Sequence, residues 1–194
     1  MRGKAIFLGL SLIFAGTAGG KIYVDEHFDG PGLPEGWSFW KSEYGYNSWG
    51  KYSGPWGDYI SIYTSSIVMH SSGCGVYSQY IRLAAGTYQY KFQARIGSVY
   101  NVFYVGATFY VYDAGLEKYI VTRDLLAECS GWTCIAGDFS VSNQTLVSLG
   151  WRVSAGASMS RTSDIALWFD EVTLCTGYPG VGATSLGRVK ALFR

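Results

Sequence analysis

The sequence predicts an all-β protein, a sandwich of two antiparallel sheets. Three observations carry that reading. First, Thr87–Ile96 alternates almost without a fault: Tyr88, Tyr90, Phe92, Ala94 and Ile96 share one phase and Thr87, Gln89, Lys91, Gln93 and Arg95 the other. Period two over ten residues marks a strand with one face in a core. Second, the 194 residues include 16 tyrosines and 26 glycines against only 15% charged residues, a balance that suits strands and turns. Third, turn signals recur roughly every ten residues between positions 20 and 176, with no sustained helical repeat, the pattern of a sandwich.

The chain begins with Arg2 and Lys4, an apolar run Ala5–Ala15 and the small residues Gly16–Thr17–Ala18. That order predicts a secretory signal over residues 1–18, too short for a membrane anchor. Residues 19–176 then form the sandwich. The first strand is Lys21–Asp29, closed by the turn-rich Gly30–Pro34. Gly36–Tyr59 holds Trp37, Trp40, Trp49 and Trp56 among Gly, Ser and Asn, and reads as an unusually aromatic loop. Ile60–His70 is a strand, and Gly75–Ile96 a strand–turn–strand hairpin turning at Ala84–Gly86. Val99–Tyr112 is one long strand, with Val99, Phe103, Val105, Ala107, Phe109 and Val111 facing the core and Tyr100, Tyr104, Tyr110 and Tyr112 facing away. Lys118–Arg123, Trp132–Val141, a strand containing Val147, Leu149, Trp151 and Val153, and Ile165–Cys175 complete the set. Residues 177–194 are a linker and a short basic amphipathic tail, in which Leu186, Val189 and Phe193 fit one helical face. Ten residues cannot hold a helix alone.

Past the signal no apolar span is long enough for a membrane helix. Removing the signal takes two bases from 15 and leaves 13 against 14 acids. A net charge near −1 excludes a general nucleic-acid binder, which needs a basic surface. Export makes Cys74, Cys129, Cys134 and Cys175 disulfide candidates with three pairings open. Cys129–Cys134 flanks a short turn and is favoured, leaving Cys74 with Cys175. Their spacing does not suit zinc. Asn143–Gln144–Thr145 matches a glycosylation acceptor.

Three stretches resemble the galactose-binding-like jelly-roll carbohydrate-binding modules of families four, nine and twenty-two. They are His27–Gly30 with Gly36–Trp37, Tyr77–Gln79 through Leu83, Gly86 and Tyr88, and Trp168–Leu174. The opening is also similar to adhesin and MAM-like jelly rolls. Asp29 stands where the group usually has Glu. The resemblance implies a structural calcium ion joining the first and last strands, with Asp25, Asp29 and Asp170 as its ligands. Asp170 supports this independently: it shares the parity of Val172 and Leu174, which aims a carboxylate inward, where it needs a cation or several donors.

The function this predicts is non-catalytic glycan binding. Sugar rings present apolar C–H faces and ring hydroxyls, so their sites combine aromatic planes with planar polar groups. Tyr100, Tyr104, Tyr110 and Tyr112 supply the first and Gln89, Lys91, Gln93 and Arg95 the second, provided their strands are sheet neighbours. Trp40, Trp49 and Trp56 border that platform or pack over the sandwich end. Two rival classes stand beside it. One is a surface or adhesion subunit that binds a protein through its aromatic face, or anchors to the cell surface through its tail, which is similar to the C-termini of some secreted bacterial proteins. The other is a jelly-roll polysaccharide lyase, which needs a His–Tyr pair for proton transfer. Here the histidines are His27 and His70, and neither lies on the tyrosine strand.

Overall fold

A computed structural model describes residues 20–54, 57–101 and 103–176. The signal, the tail and Trp56 lie outside the described residues. The chain runs through β1 (Ile22–Glu26), β2 (Ser38–Lys41), β3 (Tyr46–Gly54), β4 (Gly57–Ser65), β5 (Ser72–Tyr77), β6 (Ile81–Leu83), β7 (Gly86–Tyr100), β8 (Tyr104–Asp113) and β9 (Lys118–Asp124). A single turn of helix, α1 (Leu125–Glu128), leads to β10 (Thr133–Val141), β11 (Thr145–Gly156) and β12 (Asp164–Cys175). The first sheet has the order β10-β7-β12-β4-β3, with β1 also on β12; the second is β2-β5-β11-β8-β9, with β6 also on β11. Every pairing is antiparallel.

The phase read for Tyr88, Tyr90, Phe92 and Ala94 is the core phase, as is that of Val105, Ala107, Phe109 and Val111. The two inner faces meet at Trp151 of β11. Its indole stacks on Phe169 of β12 at 4.5 Å and 2° and on Trp37 at 5.8 Å, with Phe92 edge-on at 5.4 Å. Large aromatic planes thus span the gap between sheets, where such pairs add to area burial.

Four expectations need correction. Gly75–Ile96 is not a hairpin: β6 pairs β11 in the second sheet and β7 pairs β10 and β12 in the first, so Ala84–Ala85 carries the chain across the sandwich. Alternation fixes which face a side chain takes, and is blind to which strand lies beside it. Val99–Tyr112 is split at residues 101–103, so Tyr100 belongs to the first sheet and the other three tyrosines to the second. The aromatic stretch is mostly strand rather than loop, becoming β2, β3 and the start of β4. Finally, neither disulfide forms, since Cys74, Cys129 and Cys134 are free thiols. Cys129 is buried at the end of α1 whereas Cys134 is exposed on the outside of β10. Cys74 donates to the Tyr63 carbonyl at 3.1 Å, and burial pushes its thiol up to about 12.

Candidate functional site

The two rows expected to form one platform lie on opposite sides of the molecule. Gln89, Lys91, Gln93 and Arg95 face outward from β7 in the first sheet; Tyr104, Tyr110 and Tyr112 face outward from β8 in the second. Each row has acquired neighbours that alternation alone does not reveal.

On the first sheet, Arg95 stands opposite Trp168 of β12, which stands opposite Ser61 of β4, and that in turn opposite Gly50 of β3. Ser61 is buried in that row, and the Tyr52 ring lies over Gly50. Gly97 is the extra residue of a β-bulge, since Ala166 pairs Ser98 while Leu167 pairs Ile96. A methyl on Gly97 would collide with the Trp168 ring, so the bulge gives that ring its place. Tyr59 lies 5.2 Å from Trp168, Trp132 5.5 Å from Tyr59, and Tyr52 5.9 Å from Tyr59, making one aromatic cluster. The Arg95 guanidinium sits over Trp168 at 5.1 Å, and its buried Nε has no acceptor. Gln93 flanks it and reaches Glu171 at 3.5 Å. Lys91 is exposed further along β7, and Gln89 lies beyond it. Trp168 shares the parity of Asp170, so alternation alone places it inward with Val172 and Leu174; the bulge between Asp170 and Thr173 sets it on the outer face instead.

Asp170 lies beside this cluster, and its orientation differs from the one expected. Phe169, Val172 and Leu174 all point inward, so parity breaks between 169 and 172. The break is a second bulge, with register shifting between Asp170 and Thr173 and Glu171 at φ 52°. Asp170 is therefore on the outer side, opposite Gln93, and half-buried. Its Oδ1 is buried and has no donor. Burial raises its carboxyl to about 7; the Glu171 backbone amide and His27 oppose that rise, and Glu171 and Asp29 add to it. Asp29 is thus close enough to be felt. Asp25 is paired with His27, 3.3 Å from its Nε2. Among the described residues no three acid, His or Cys side chains gather as a metal cluster.

On the second sheet, Trp40 of β2 stands opposite Gly75 of β5, Arg152 of β11 and Thr108 of β8 in one cross-strand row. Arg152 lies over the Trp40 ring at 5.6 Å. Tyr110 covers Gly150, with the Trp40 indole near its hydroxyl. Burial, then Tyr119, pushes the Tyr110 hydroxyl up to about 12. Tyr119 touches Tyr110 and Tyr112 edge-on, at 5.1 and 5.5 Å. Tyr104 bends back towards Ser154. Trp49 belongs to neither face: its strand partner is the inward Ile62, at the sheet edge.

No family model matches the chain, and no curated protein matches it. Solved structures do share its architecture. One is a Stig cyclase from Fischerella sp. TAU, at TM-score 0.54 and 11% identity over 80% of this chain and 97% of that one. Another is the K3 cleaved adhesin domain of Lys-gingipain from Porphyromonas gingivalis, at 0.51 and 13% over 81% and 100%. A third holds the CBM22-1–GH10 modules of endo-1,4-beta-D-xylanase 10B from Clostridium thermocellum complexed with xylohexaose, at 0.51 and 16% over 84% of this chain. The chain spans about 30% of that xylanase chain. These likenesses establish the fold: the protein shares the two-sheet jelly-roll architecture of these solved domains.

Proposed function

We propose that this is a secreted, non-catalytic carbohydrate-binding domain, and that it holds a neutral glycan on the outer face of its first sheet around Trp168. The observation that carries the proposal is the Arg95 Nε, a buried donor without an acceptor, set on an indole beside Tyr59 and Trp132. Buried polar groups are nearly always paired, so an orphan beside a half-buried outer-face aromatic cluster points to a missing ligand. A pyranose fits: its C–H face covers the ring and its hydroxyls accept from Arg95 and exchange bonds with the Gln93 amide. The similar xylanase modules carry xylohexaose, which supports this class of ligand. Secretion rests on the signal-like residues 1–18, and no helix among the described residues is long and apolar enough to cross a membrane. Affinity electrophoresis through soluble xylan, mixed-linked β-glucan and galactan tests the reading. At least one polymer should retard the wild type, with retardation lost in Trp168→Ala and Arg95→Ala. If none does, the protein-binding reading replaces it.

A structural calcium ion belongs to the same proposal. The donor-free Asp170 Oδ1 and nearby Asp29 suit a hard cation, which takes carboxylate and carbonyl oxygens alike. Asp25, engaged by His27, would not be a ligand.

A further inference from the structure

We propose that one end of the sandwich docks on a lipid bilayer through the tips of its loops, a role separate from the glycan face. This end holds the β2–β3, β4–β5, β7–β8 and β11–β12 connections, because Tyr100, Ser65 and Tyr46 meet Asp164 in one cross-strand row and Tyr104 meets Gly156. More than half of the large apolar side chains exposed among the described residues lie here. Met69 is 70% exposed, Met159 84% and Phe103 65%, and Ile67 and Val68 precede Met69 directly. Isolated exposed apolar residues need no explanation, but a contiguous group at one end marks an interaction surface.

These tips are held in place rather than loose. Met69 N–H donates to the Ser158 carbonyl at 3.3 Å, and Ser66 Oγ donates to the Gly156 and Ser163 carbonyls at 2.9 and 3.1 Å. Phe103 N–H donates to Ser163 Oγ at 3.1 Å. Three loops are therefore stitched together with their apolar side chains outward, so no collapse of one loop onto another hides them.

Layering and charge favour a bilayer as the occupant. Behind the aliphatic, Met and Phe tips come exposed tyrosines at the strand ends, Tyr46, Tyr100 and Tyr104, with Tyr44 of the β2–β3 loop stacked on His70 at 4.3 Å. Apolar tips backed by rings with polar ends match the hydrocarbon-to-headgroup gradient of a membrane interface. Charges at this end nearly balance, with Lys41 and Arg161 against Glu43 and Asp164. Attachment would thus come from apolar insertion and not from anionic headgroups. The other end of β12 carries Cys175 beside Ile22 of β1, so residues 21 and 176 leave the domain at the far end and do not crowd the tips.

Co-sedimentation of the purified protein with phosphatidylcholine vesicles is the test. The wild type should pellet with them to the same extent at low and high salt, and equally when phosphatidylglycerol is mixed in. Val68→Asp combined with Met69→Asp should weaken partitioning by more than about tenfold. An unchanged melting temperature shows that the variant folds. Trp168→Ala should pellet like wild type while losing glycan retardation, which separates the two surfaces. Wild type left in the supernatant overturns the proposal, as does a double variant that pellets fully. Concentration-dependent dimerisation without vesicle binding also overturns it, and assigns the end to a second copy.

Discussion

Asp170 gives the sharpest test of the joint between β1 and β12. Replacing it with Asn keeps the shape and removes the charge. The folded carboxyl titrates at about 7 against an ordinary value of 3.8. The folded state therefore holds the proton more tightly than the unfolded chain, and this group's contribution to stability falls as pH rises from about 4 to about 7. That interval corresponds to ~4 kcal/mol as a ceiling. The side chain is only half-buried, so solvent screens the charge and reduces the expected penalty to about 1–2 kcal/mol. In urea unfolding with chelator present, Asp170→Asn and wild type should match near about pH 4, and the variant should be more stable by that margin near about pH 8. Added calcium should then raise the wild type's stability by binding the folded state, and leave the variant unmoved. A wild-type–variant gap that is independent of pH would refute the burial argument. A wild type indifferent to calcium, with the pH-dependent gap intact, would refute the ion alone.

Further expectations concern packing and thiols. Gly150→Ala should push Tyr110 off β11 and disturb its edge-on contact with Tyr119, which near-ultraviolet circular dichroism would register; an unchanged aromatic spectrum would contradict that packing. Phe92→Ala should cost about 3–5 kcal/mol in chemical unfolding because it empties the space between Phe109 and Trp151. In the native protein a thiol reagent should modify exposed Cys134 quickly and reach buried Cys74 and Cys129 only after unfolding. A non-reducing peptide map that links Cys129 to Cys134 would overturn the free-thiol assignment.

The fold was legible where side-chain direction alone carries the information. Alternation along β7 and β8 identified Tyr90, Phe92, Phe109 and Val111 as core, since a half-buried strand needs nothing beyond its own period. Partnership was not legible. Whether β7 lies beside β8 or across the sandwich from it depends on contacts far apart in the chain, and the short Ala84–Ala85 link permits either. Bulges defeat parity altogether. One extra residue at Glu171 moves Asp170 from the inner phase to the outer, and one at Gly97 makes the seat for Trp168. β3 read as loop because its glycines, serines and tyrosines resemble turn composition; it is an edge strand, where propensity is weakest. The sequence did name Arg95, Gln93, Tyr110 and Trp40 as site residues. It could not show that they divide between two faces.

The adjacency of β1 and β12 also bears on how the domain responds to force. Lys21 and Thr176 are tied by two hydrogen bonds, Lys21 N to Thr176 Oγ1 at 3.0 Å and Thr176 N to the Lys21 carbonyl at 2.9 Å. Tension applied at these two residues would pull the strands apart from their shared end, loading the ladder bonds one after another and not all at once. β1 would peel away first, exposing Phe28 and the neighbourhood of Asp170 while β7, β11 and the Trp151 stack remained assembled. A cation bridging Asp29 and Asp170 would sit in the path of that peeling, and so act as a mechanical latch as much as a thermodynamic one.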